Sequence, residues 1–142
     1  MGKRRHFKRI AEVLAILSPS IAPATLAGAP PCPAGTEPVT EYRLFFGSNR
    51  GEVEVVSDAA WGKFLADEIT PRFADGLSVL DAAGQWRDGS GAMVRERTRL
   101  VLILTEPGAG GMQRSEEVME AYQRSFGQES VLRLITPACA SN

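Results

Sequence analysis

The sequence predicts a single α+β domain behind an N-terminal leader. Three observations carry this reading. The first 29 residues run from basic to apolar to proline-rich; four later runs have strand character; and two segments have helical spacing, one after the first strand and one after the third. A length of 142 residues, 44% hydrophobic and 23% charged, describes an ordinary globular chain with room for one modest core.

The leader opens with Lys3, Arg4, Arg5, Lys8 and Arg9, continues as IAEVLAILSPSIA and ends in PATLAGAPP. Basic, then apolar, then small is the layout of a secretory signal peptide. Glu12 and Pro19 interrupt the apolar part, which suits a cleaved signal better than a span of about 20 apolar residues. Ala27-Gly28-Ala29 has the small-x-small form of a cleavage site, but Pro30 follows it, so Ala22-Pro23-Ala24 stays open as a second site. The competing reading is a basic amphipathic helix lying on a membrane or nucleic acid, but the run breaks into prolines instead of keeping its period. Export to the periplasm or medium, with no stable transmembrane span, is therefore expected. Removing residues 1–29 leaves 11 basic and 16 acidic residues, a net charge of −5. That balance lacks the concentrated positive surface nucleic acid requires.

His6, the chain's one histidine, lies in the leader. The mature domain therefore cannot build a Ser-His-Asp or Cys-His arrangement, nor a His-containing zinc site. Cys32 and Cys139 stand at the two ends of the domain, and in an oxidising compartment an even pair reads as a disulfide. The rival is a lipid-bearing Cys32, against which Pro30-Pro31 stand where small residues are wanted.

Residues 30–40 read as a Pro-rich linker, and 41–136 as the domain. Glu41–Gly47, EYRLFFG, is a strand with Tyr42, Leu44 and Phe46 on one side and Arg43 and Phe45 on the other. SNRGEVEVV is a loop, turning at Asn49-Arg50-Gly51. Ser57 caps a helix whose apolar face is Trp61, Phe64, Leu65 and Ile69, with Pro71 as its stop; in that register Trp61 belongs to the core. Asp75-Gly76 turns into a strand from Leu77, with a bulge or close approach at the small residues Asp81–Gly84. The turn Asp88-Gly89-Ser90-Gly91 closes a hairpin with AMVRERTRLVLILTE. There Val94, Thr98, Leu100, Leu102 and Leu104 share one face with Glu96; Arg95, Arg97, Arg99, Val101 and Ile103 share the other. PGAGGMQ reads as a flexible loop, with no phosphate-binding lysine after it. Ser115 is expected to cap a second helix, with Glu116 and Glu117 in its first turn and Gly127 as its stop. Val118, Met119, Tyr122 and Phe126 form its buried face. Ser130–Ile135 is the last strand, and 137–142 a tail.

The order βαββαβ is that of a ferredoxin-like split βαβ fold, a four-stranded antiparallel sheet with two helices on one face. The other face is open, with Val101 and Ile103 expected there beside the arginines, and self-association through it is plausible. The segments EYRLFFG, SDAAWGKFLADEITPRFADGLSVLDAAGQWRD and AYQRSFGQESVLR resemble a bacterial family of small exported proteins, many lipid-anchored, classed as a domain of unknown function. TPRFADGL, GQWR and FGQESVLR are the most specific pieces. The resemblance, from about Glu41 to Leu134, implies export and a compact α+β domain, with no catalytic residues to carry over.

Candidate ligand-binding residues are polar groups in apolar context: Arg43, Glu96, Arg72, Gln85 and Trp86. Glu96, on a largely apolar face, needs a partner, and Arg43 on the neighbouring strand, or a nearby arginine, is the expected one. Arg72 and Asp75 flank a turn. Gln85 and Trp86 are adjacent strand positions, so one is expected to look inward. Tyr122 and Gln128 read as core edge and helix stop. No metal site is expected and no cofactor is implied. The leading reading is a non-catalytic exported domain that binds a small molecule or protein, with a homodimer through the open sheet face. The alternative is a small ferredoxin-like enzyme, of oxygenase or isomerase type, with an Arg/Glu pocket.

Overall fold

The computed structural model describes residues 31–142; the signal peptide expected over residues 1–29 lies outside the described residues. Six strands and two helices follow in order: β1 (Glu37–Gly47), β2 (Asn49–Arg50), β3 (Val53–Glu54), α1 (Asp58–Phe64), β4 (Leu77–Arg87), β5 (Met93–Thr105), α2 (Ala109–Phe126) and β6 (Leu132–Ala140). The main sheet is antiparallel in the order β4-β5-β1-β6, the topology of the ferredoxin-like fold, and β2 and β3 form a small ribbon beside it. Its turn is made by Gly51, at φ 62°.

Alternation along β1 decides the layers. Tyr42, Leu44 and Phe46 are buried with Val101 and Ile103 of β5 against Trp61, Phe64, Val118 and Tyr122 of the helices. Phe46 packs on Trp61 and Tyr122 with ring centroids 5.3 and 4.8 Å apart. Val101 and Ile103 are therefore core residues under the helices, not part of the open face. Burial there outweighs the company of the arginines, which turn sideways: Arg97 pairs with Glu54 and Asp58, and Arg99 with Asp58 and Asp81. The open face instead carries the leucine series of β5, with Phe45 opposite Leu100 and Leu132, and Leu80, Leu104, Leu132 and Leu134 exposed.

Several expectations shift. β1 begins at Glu37 and β6 runs to Ala140, so part of the expected linker and most of the tail are paired strands. Pro137 is tolerated because β6 is an edge. Cys32 and Cys139 form the expected disulfide, with Cα atoms 5.7 Å apart. Ser57 caps α1 by accepting from the Ala60 N–H, but the helical path does not stop at Thr70. It widens into a π turn over Leu65–Ile69, then tightens through Thr70–Arg72, where Pro71 sits at the start of a short turn and needs no N–H.

Helix α2 starts at Ala109, six residues before Ser115. Glycine's low helix propensity argues for a loop there, but packing prevails: a Cβ on Gly111 would strike Tyr42 and Thr105, so the glycine lets the first turn lie against the sheet. Ser115 is fully buried within the helix. Its hydroxyl donates to the Met112 carbonyl and accepts from Arg133, at 2.8 Å each. Gly127, at φ 62°, ends the helix as expected.

Candidate functional site

At the β4–β5 hairpin end of the open face lies a pocket of about 430 Å³, within the size range of small-molecule sites. Its floor is made of open-face positions on three strands: Phe45 and Gly47 of β1, Ala82, Gly84 and Trp86 of β4, and Val94, Glu96 and Thr98 of β5. Asn49–Gly51 and Gly127–Ser130 form its walls.

Two glycines make room for polar side chains of the floor, Gly47 for its acid and Gly84 for a hydroxyl. A Cβ on Gly47 would fall inside the Glu96 carboxylate, and one on Gly84, the residue opposite Glu96, would fall on the Thr98 hydroxyl. The β4–β5 register runs unbroken from Leu77 to Arg87, so Gly84 marks a close approach and not a bulge. The Gly47 position is held from below: the Tyr122 hydroxyl donates to its carbonyl at 2.8 Å. Burial, with the Glu96 charge as a second cause, pushes the Tyr122 phenol well above its ordinary range.

Glu96 is gripped by two N–H donors. Trp86 Nε1 donates to Oε1 at 2.8 Å, and the Asn49 backbone N–H donates to Oε2 at 2.9 Å. A carboxylate has about four acceptor sites, so both oxygens keep capacity for a ligand donor. The rings of Trp86 and Phe45 line the same pocket. The charged lining residues are Arg50 against Asp88, Glu96 and Glu129. Asp88 accepts from the Ser90 hydroxyl and from the N–H groups of Ser90 and Ala92, and the Ser90 bond leads in holding its carboxyl below the usual range. Gln128 Nε2 is buried at the wall with no acceptor among the described residues.

Of the residues singled out in the sequence, the pocket brings together Glu96, Trp86 and Gln85 and leaves out Arg43 and Arg72. Arg43 lies opposite Leu102, six positions along β5 from Glu96, and pairs with Glu41 at 2.9 Å. The expected Arg43–Glu96 pair does not form. Arg72 binds Glu68 and Glu117 and ties the turns that follow α1 to α2. Neither Gln85 nor Trp86 is buried: the hairpin extends past the helices, Trp86 takes the open face at 40% exposure, and Gln85 takes the other. Gly47, Asn49 and Gln128 join the site without a side-chain pattern that announces them. A glycine ending a strand directly before a polar turn is the signal that could have found the first two.

Among the described residues no cluster of His, Cys, Asp or Glu could hold a metal ion, and no helix is long and apolar enough to cross a membrane. The chain belongs to the family described as protein of unknown function (DUF3574), whose sequence model matches residues 41–141. No curated protein sequence matches it. Among solved structures it resembles a phage SAM lyase in complex with S-methyl-5'-thioadenosine, at 17% identity and TM-score 0.59, over 76% of this chain and 91% of that one. It also resembles CutA1 from Oryza sativa, at 12% identity and TM-score 0.52, over 77% and 87%. At these identities the likeness concerns the fold.

Proposed function

We propose that the protein is an exported, non-catalytic domain that binds a small cationic ligand with an apolar body in the Trp86–Glu96 pocket. The observation that carries this is the Glu96 carboxylate, held by two N–H groups and still open to the pocket. One cation against three carboxylates in the lining favours a positive ligand. The Trp86 and Phe45 rings offer it apolar and cation–π contact. Export is supported by the leader pattern and by the disulfide, a bond that persists in oxidising compartments. The exposed leucines beside the pocket support a protein partner on this face of the sheet. The enzyme alternative named an Arg/Glu pocket, and Arg43, bonded to Glu41, is not available to it.

The test is an NMR titration that follows the two indole N–H signals, Trp61 and Trp86, with phenethylamine as probe and phenylacetate as its anionic counterpart. The reading expects phenethylamine to shift the Trp86 signal and leave Trp61 unmoved, with phenylacetate inert. Equal response to both probes, or none to phenethylamine, would overturn it. S-methyl-5'-thioadenosine is neutral and should bind more weakly than phenethylamine. Tighter binding would favour the enzyme reading.

A further inference from the structure

The two edges of the sheet are treated differently. Strand β6 is blunted by Pro137 and tied at Cys139 to Cys32. Strand β4 has no proline, no lysine and no bulge over eleven residues, nine of them exposed, and its two charged residues, Asp81 and Arg87, are of opposite sign. It presents Val79, Leu80 and Trp86 to solvent. An edge of this kind is a template for another strand.

We propose that a second copy of this chain pairs with β4, antiparallel, about a two-fold axis at Gly84. The sequence of the strand is self-complementary in that register. Asp81 stands opposite the partner's Arg87, and by symmetry the pair forms twice. Ala82 stands opposite the partner's Trp86, a small residue under a large ring. Gly84 meets the partner's Gly84 with no side chain between them. Asp81 and Arg87 lie on the helix side of the sheet, while Ala82 and Trp86 lie on the open face. Asp81 is exposed and shared with Arg99, and Arg87 donates to the Gly91 carbonyl of the turn, so both retain unused hydrogen-bonding capacity. Because Ala82 and Trp86 both line the pocket, each partner's Trp86 becomes an outer wall of the other's site. That last consequence rests on the proposed ligand site; the pairing itself does not. The second copy therefore sits at the rim of the open face, not across its leucines.

Sedimentation equilibrium of the disulfide-bonded protein tests the pairing without any ligand. The expected mass is that of a dimer. Arg87→Asp places like charges opposite each other twice and should weaken the dimer by roughly 30-fold or more. The double variant Asp81→Arg/Arg87→Asp restores opposite charges and should recover it. Leu134→Asp, on the leucine face, should leave it intact. Circular dichroism confirms that each variant is folded. A wild-type monomer or trimer would overturn the proposal, as would a dimer that survives Arg87→Asp or is lost with Leu134→Asp. Loss of phenethylamine binding in an intact dimer would count against the ligand reading alone.

Discussion

The two faces of the sheet are made by alternate residues of the same strands, yet they are opposite environments. Under the helices Phe46, Trp61, Phe64, Tyr122 and Phe126 interlock in tilted and edge-to-face pairs, with Phe64 and Tyr122 centroids 5.1 Å apart. One residue along β1, Phe45 is partly exposed on a face that leaves leucines in water and holds a carboxylate over Gly47. Period-two alternation lets one strand serve the fold with even residues and the site with odd ones. Substitutions on one face should therefore change stability, and on the other binding.

The largest effect should come from the closed face. Phe46→Ala removes the ring at the centre of the aromatic cluster and should cost about 3–5 kcal/mol in a denaturant titration. A loss below about 1 kcal/mol would mean that the core is not where the burial places it. The disulfide ranks next. It closes a span of 107 residues, and Cys32→Ser with Cys139→Ser should cost about 2–5 kcal/mol. Reductant added to the wild type should reproduce that loss.

Gly47→Ala sits between the two faces. The new methyl must displace Glu96, a flexible side chain, so the expected cost is about 1–3 kcal/mol. Phenethylamine binding should be lost in a protein that remains folded; retained binding would separate Gly47 from the site. The smallest effect belongs to Tyr122→Phe, which deletes the bond to the Gly47 carbonyl and should cost about 1 kcal/mol. Tyr122 also sets an alkaline limit. Its folded pKa is raised, so its contribution is complete below the unfolded value of about 10. Above that pH the unfolded chain releases the proton and the folded one retains it, and stability falls. The slope of stability against pH above about 10 should be shallower in Tyr122→Phe than in the wild type.

The closed face was legible in the sequence because burial writes itself as periodicity: Tyr42, Leu44 and Phe46 alternate, and Trp61, Phe64 and Ile69 recur at helical spacing. The topology followed from the order of these runs, and the disulfide from cysteines at the two ends. Where glycine acts by permitting contact, the pattern misleads. Gly111 reads as loop because its reason, the nearness of Tyr42, lies far away in sequence. The site was half legible. Glu96 stood out as an acid among leucines and Trp86 as an aromatic beside a turn, but their pairing depends on the β4–β5 register. Strand adjacency points to Arg43 but ignores the position along the strand. Asn49 contributes a backbone N–H, a group that no side-chain pattern reports.

The most direct test pairs binding and stability in Glu96→Gln, which keeps the volume and removes the charge. The amide can accept only one of the two N–H groups and turns a donor toward the other, so the variant should lose about 1–3 kcal/mol in a denaturant titration and remain folded. Its affinity for phenethylamine, read from the Trp86 indole signal, should fall by about tenfold or more. Unchanged affinity in a folded Glu96→Gln protein would contradict the assignment of this pocket as the functional site.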